Sequence, residues 1–203
     1  MAGIDWSFIA QKGIEGESEH LTGYVPREGS GFTVGSVDVG MHSGEKYGDL
    51  WTMLQSYANK QSPSGVGSIN LPLYEKLNPY ALRKDVLDEE ARKIEFDKDE
   101  IEYITQAKRY QYERKLGKME GWDKIHPKAK TILTSVGWQY GLDSDHFKDL
   151  YKLKGDRNKM AEQLIEFGKS EYEERRKLEA KHVKPSEETS YMEQWNKEDN
   201  IFA

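Results

Sequence analysis

The stretch Leu21-Thr22-Gly23-Tyr24-Val25-Pro26, continued by Ser30-Gly31-Phe32-Thr33-Val34-Gly35-Ser36-Val37-Asp38-Val39-Gly40, changes the texture of the chain. Glycines there punctuate short runs of β-favouring residues, a pattern that predicts a small hairpin or three-stranded sheet with tight turns. So few strands do not stand alone in water, and the element must pack on helices. Upstream, residues 4–13 carry an apolar period with Asp5 as N-cap ahead of Trp6, Phe8 and Ile9, stopping at Gly13-Ile14-Glu15-Gly16. Downstream, a helix runs from Asp49 to about Ala58, and the polar stretch Gln61 to Ser68 reads as a plain loop. Helices are then expected over 84–95, 99–116 (capped by Asp97 or Asp99), 127–140 (opened by His126-Pro127), 144–153, 157–167 and 169–182. The fold class is α+β, mostly α, with a small N-terminal β element packed on a helical body.

With 203 residues the chain suits one domain, or two lobes that share a cleft. We expect an N-lobe over about 4–60, a helical C-lobe over about 70–182 and a polar tail over 183–203. Aromatics at 11% argue against disorder. No stretch approaches the roughly 20 apolar residues of a membrane helix, and the N-terminus lacks the basic and apolar regions of a signal peptide. The absence of cysteine excludes disulfides, thiol nucleophiles and Cys-ligated zinc. A net charge of −6 argues against a nucleic-acid partner, whose phosphates call for a basic stripe. The densest basic cluster, Arg175-Arg176-Lys177, is interleaved with Glu173, Glu174 and Glu179 and reads as a solvated helix face, with Arg175 and Glu179 at i,i+4.

Several chemistries drop out. None of His20, His42, His126, His146 and His182 stands at i,i+4 from another, so no helical metal face forms. No phosphate-binding glycine loop ending in Gly-Lys-Ser/Thr and no Gly-x-Ser-x-Gly elbow is present. What remains is an acidic and hydroxyl group around the β element: Glu15, Glu17, Glu19, Thr33, Ser36 and Asp38. Glycoside hydrolysis uses two carboxyl groups in unlike environments, one held protonated as acid and the other activating water or acting as nucleophile. A Glu at a helix end beneath a small sheet that carries an Asp supplies that asymmetry.

Four anchors give this group a more specific reading. Ile14-Glu15-Gly16 with the 21–40 stretch resembles the N-terminal lobe of phage-type lysozymes, most closely the branch that contains the lysozyme-like toxin domain of pesticin. Leu73-Tyr74-Glu75-Lys76-Leu77-Asn78-Pro79-Tyr80 is similar to that branch's inter-lobe segment, and Leu133-Thr134-Ser135-Val136-Gly137-Trp138-Gln139-Tyr140-Gly141 to its central helix. Arg175-Arg176-Lys177-Leu178-Glu179-Ala180 resembles the Arg-Arg-x-x-Glu signature that closes the domain.

The resemblance implies a lysozyme-like fold with a cleft between lobes. It also implies a muramidase that cuts the β-1,4 bond between N-acetylmuramic acid and N-acetylglucosamine without cofactor or metal. Glu15 matches the general acid, Thr33 the threonine that helps place water, and Asp38 the second carboxylate. Arg175 or Arg176 is a candidate partner of Glu15; Trp138 and Tyr140 read as core rather than sugar platforms. The substrate would be peptidoglycan glycan strands, met in the periplasm or cell wall of a target bacterium. The protein would be a monomeric phage endolysin or antibacterial effector, the latter with an immunity protein as partner.

One departure stands out. The family has an additional residue between its Thr-x-Gly and the Asp, where this chain has only Ser36-Val37. A one-residue slip in a strand moves a side chain to the other face, so Asp38 turns away from Glu15 unless the turn absorbs the change. A displaced Asp38 would favour a lytic transglycosylase, which needs one Glu, or a lysozyme-like domain that binds peptidoglycan without cleaving it.

Overall fold

The computed structural model describes residues 3–13, 21–26, 31–35, 37–39, 49–81, 83, 85–170 and 172–185. Among them the chain is mostly helical with one two-stranded antiparallel sheet, which bears out the α+β, mostly α class. No helix among the described residues is long and apolar enough to cross a membrane. The chain divides into two compact units: Ile14–Lys118, and Met1–Gly13 together with Met119–Ala203. The first helix groups with the C-terminal ones.

The 14–118 unit holds the sheet. Strands β1 (Thr33–Val34) and β2 (Val37–Asp38) form a hairpin, and Tyr24 bridges β1 on its other edge. The bridge is hydrogen-bonded both ways: Tyr24 N–H to the Thr33 carbonyl at 3.0 Å, and Thr33 N–H to the Tyr24 carbonyl at 2.8 Å. Gly23 permits this approach, because a Cβ there would stand 2.3 Å from Phe32 ring carbons. Phe32, fully buried, stacks on Tyr80 at 4.6 Å between centroids.

Among its described residues this unit also holds α2 (Asp49–Gln61), α3 (Leu71–Leu77), α4 (Asp88–Ala91) and α5 (Lys98–Leu116). Asp97 caps α5 in a reciprocal box with Glu100, as its Asp-x-x-Glu spacing predicts. The helix expected over 84–95 shrinks to the four residues of α4. Its later backbone is drawn into pairing instead, with Gly23 N–H donating to the Ile94 carbonyl at 2.9 Å and Phe96 N–H to the Leu21 carbonyl at 2.6 Å. The α3 helix stands outside the segments expected from sequence; its signals are the Asn70 cap, which accepts from Leu73 N–H, and a proline in the first turn. Nor is the 61–68 loop a plain linker. Gly67 donates to Asn59, its carbonyl accepts from Gln55, and a Cβ at 67 would lie 2.1 Å from the Ala58 carbonyl oxygen, so the loop is folded onto α2.

The other unit is built on α6 (Pro127–Tyr140), whose residues 129–137 are all buried. Around it stand α1 (Trp6–Gly13), α7 (Asp145–Lys152), α8 (Arg157–Gly168) and α9 (Glu173–Val183). Asp5 caps α1 through Phe8 N–H at 2.9 Å, while its own N–H donates to Thr131 of α6 at 2.9 Å. Trp6 meets Trp138, which is half-buried, edge-on at 5.5 Å. Gly168 lets α8 and α9 close together, since a Cβ there would stand 2.9 Å from the Arg176 Cβ.

His182, half-buried, stacks on Phe8 at 4.0 Å between centroids. Burial, reinforced by Lys128, holds its pKa below the ordinary 6.5, with Asp5 and Glu179 opposing. The fold therefore disfavours the imidazolium, and the unfolded chain binds more protons as pH falls. We expect His182's contribution to be fully present above its unfolded pKa and to diminish as pH drops from 6.5 toward the folded value. Thermal melts of His182→Leu between pH 5 and 7.5 should show a flatter slope than the parent; an identical slope would exclude this residue as the source.

Candidate functional site

The hairpin fixes the surroundings of Asp38 on its own strand pair. Val34 pairs with Val37 and Thr33 with Asp38, so only two residues separate the strands. Such turns need positive φ at the first central position, and Gly35 has φ of +57°. Tyr24 steadies the turn, its buried hydroxyl donating to the Gly35 carbonyl at 2.8 Å. Glycine is also required sterically, because a Cβ at 35 would lie 2.9 Å from the Ile101 side chain on α5.

The register places Asp38 directly across from Thr33. Residues opposite each other on antiparallel strands project to the same face. Because Val39 N–H donates to the Phe32 carbonyl at 2.9 Å, the alternation makes Thr33–Asp38 a non-hydrogen-bonded pair. Side chains stand closest in such pairs, with Cα atoms about 4.5 Å apart. Thr33 is 5% exposed and its hydroxyl donates to the Gly31 carbonyl at 3.2 Å. A hydroxyl whose proton points to its own backbone keeps oxygen lone pairs for an incoming donor. Asp38 is less enclosed.

The tight connection thus sets Asp38 opposite Thr33. Inserting Gly between Ser36 and Val37 would lengthen a turn that already sets the Thr33–Asp38 register. We expect the insertion to leave the protein folded and to lower any hydrolytic activity by on the order of tenfold or more, since displacement near 1 Å costs up to about 10²-fold. Higher activity in the inserted variant would show that the native turn misplaces Asp38.

Glu15, the expected acid, lies outside the described residues, as do Glu17, Glu19, Ser36 and His42. The pairing of Arg175 or Arg176 with Glu15 therefore falls outside them as well. What the two arginines do within α9 corrects the reading of a solvated face. Only part of the cluster is solvated: Lys177 pairs with Glu173 at 2.7 Å and Glu174 at 3.0 Å on the outside. Arg176 and Glu179 are fully buried and form an ion pair at 2.6 Å. Arg175 reaches the same carboxylate at 3.1 Å, as the i,i+4 spacing predicts, and also donates to the Ser135 hydroxyl at 2.9 Å. Ser135 donates to Glu179 at 2.5 Å, and Arg176 donates to Gln139. Burial lowers the Arg176 pKa and the Glu179 charge opposes that shift. Ser135 and Gln139 belong to the α6 segment that the resemblance picked out, so two of its four anchors meet in one polar knot. Tyr140 is half-buried beside it, with the Arg176 guanidinium 5.6 Å from its ring centre.

Among the described residues no group of three or more His, Asp or Glu side chains is placed to hold a metal ion. Compared with protein-family models, characterised proteins and solved structures, the chain has no match in any of the three.

Proposed function

We propose that the chain is a peptidoglycan muramidase, and the observation that carries the reading is the Thr33–Asp38 cross-strand pair beside the Gly35 turn. Together with the Ile14-Glu15-Gly16 run, it supplies the three residue types that the lysozyme resemblance assigns to acid, water placement and second carboxylate. In this reading Glu15 donates a proton to the glycosidic oxygen as the bond to the muramic acid carbon breaks. Asp38 takes a proton from the attacking water, and Thr33 accepts a hydrogen bond from that water and orients it. A water between the carboxyl groups requires a separation of roughly 6.5–9.5 Å and yields inversion. The lysozyme-like cleft, action on the wall of a target bacterium, and an immunity protein for an effector form belong to the same proposal.

The test is clearing of purified cell walls together with analysis of the fragment ends. A hydrolase leaves reducing sugar ends, and Asp38→Asn should slow it by about 10²-fold or more, within the range of general acid–base effects. Fragments with 1,6-anhydro ends and an indifferent Asp38→Asn would replace hydrolysis with transglycosylation. Walls left intact by a folded protein would reduce the chain to a binding module.

A further inference from the structure

One concavity on the 14–118 unit has no part in the hairpin chemistry. It is a hollow of about 400 Å³ lined by Tyr57 of α2 and by Asp99, Glu102, Tyr103 and Gln106 of α5. The four α5 residues stand at i, i+3, i+4 and i+7 and so share one helix face. Ile101, which supports the Gly35 turn, lies on the opposite side of α5. The same helix therefore carries the hairpin on one side and the hollow on the other.

Among the described residues the two carboxylates of the lining carry no counter-charge, unlike several of their neighbours on the helices. Glu100 is paired with Lys76, Asp88 with Arg92, Glu90 with Arg83 and Glu166 with Lys169. Asp99 and Glu102 form no ion pair among the described residues, and Glu102 accepts only from the Gln106 amide, at 2.6 Å. Tyr57 is buried, its hydroxyl accepting from Gln61 at 2.5 Å, and it meets Tyr103 edge-on at 5.2 Å. Tyr103 is half-buried, and no hydrogen bond to its hydroxyl forms among the described residues. Burial next to Tyr57 also raises its pKa, so the phenol stays protonated and able to donate.

We propose that this hollow is a saccharide-binding subsite, separate from the hairpin, that takes one pyranose ring of a glycan strand. A sugar ring has apolar C–H faces and a rim of hydroxyl donors. Tyr103 offers a ring surface and a free phenol, and Asp99, Glu102 and Gln106 offer acceptors around it. Anions are repelled by the two carboxylates. A cation is the competing ligand, but the Lys60 ammonium already lies 5.9 Å from the Tyr57 ring centre and 4.8 Å from that of Tyr110. That places positive charge against the same tyrosine cluster. In an open hollow a cation also keeps much of its water, where its attraction to a ring is weak. The identification of the sugar as an N-acetylated one rests on the muramidase reading; the hollow itself does not.

The experiment titrates triacetylchitotriose into the full chain carrying Glu15→Gln, so that nothing is cleaved, and reads the ring signals of labelled Tyr57 and Tyr103 by NMR. Both rings should shift saturably. Adding Tyr103→Ala should weaken the response at Tyr57 by about tenfold, the size of one lost aromatic contact. Glu102→Gln and Asp99→Asn, exposed changes that leave the fold intact, should each weaken it severalfold. Unchanged affinity in all three, or ring signals that respond to butylammonium and not to the trisaccharide, would overturn the proposal. Intact walls with a saturable hollow would defeat the muramidase reading alone; cleared walls with a silent hollow would defeat the subsite alone.

Discussion

Replacing Glu15 by Gln should reduce wall clearing by about 10²–10⁴-fold, the range a general acid supplies. The alkoxide leaving group of a glycosidic bond is too basic to depart unprotonated near neutral pH, so removing the proton donor stops the step rather than weakening binding. Gln retains the size and hydrogen-bonding shape of Glu, and catalytic carboxyls are commonly kept at some expense in stability. The unfolding midpoint of Glu15→Gln should accordingly match or exceed the parent's. Its affinity for triacetylchitotriose should be retained, which separates chemistry from binding. A folded Glu15→Gln protein that still clears walls at near-parental rate would remove Glu15 from the mechanism, and with it the central residue of the lysozyme resemblance.

The elements the sequence made legible are those with strong local signals. Asp5, Asp97, His126-Pro127, Ser144 and Asp156 each sit where a helix begins, because a cap is decided by a few neighbouring atoms. The 84–95 segment departs from its local pattern for the opposite reason. Its residues favour helix, but residues 94–96 pair with 21–23, and a contact across so much chain leaves no trace in local pattern. The consequence of the short segment before Asp38 was likewise beyond sequence. Which residue an aspartate faces depends on the register across the hairpin, and here that register sets Asp38 opposite Thr33. The α9 cluster shows a third limit. Charge interleaving within one helix cannot tell which turn faces solvent, so Arg176 and Lys177, adjacent in sequence, end in opposite surroundings. The hollow had a partial signature, the i, i+3, i+4, i+7 stripe on α5, but Tyr57 joins it only through packing of α2.

The same buried knot carries the largest stability effect expected in the chain. Glu179, with no exposed surface, accepts from Ser135 and neutralises Arg176 while also holding Arg175. Glu179→Ala would leave the Arg176 guanidinium buried without its counter-charge. Breaking one side of a buried pair typically destabilises by about 3–5 kcal/mol. At this chain length that corresponds to a fall in unfolding midpoint of about 10 °C, read on the transition of the unit that contains α6 and α9. Lys177→Ala removes two pairs of the same helix that are open to water, and should leave the unfolding midpoint close to the parent's. Replacing both partners, as Arg176→Met with Glu179→Leu, removes the charge and its partner together and should recover most of the loss. If Glu179→Ala melts with the parent, Arg176 must find another acceptor on α6, and the Ser135–Glu179–Arg176 knot does not hold α9 against α6. If the double variant is as unstable as Glu179→Ala, the loss comes from packing volume and not from an uncompensated charge.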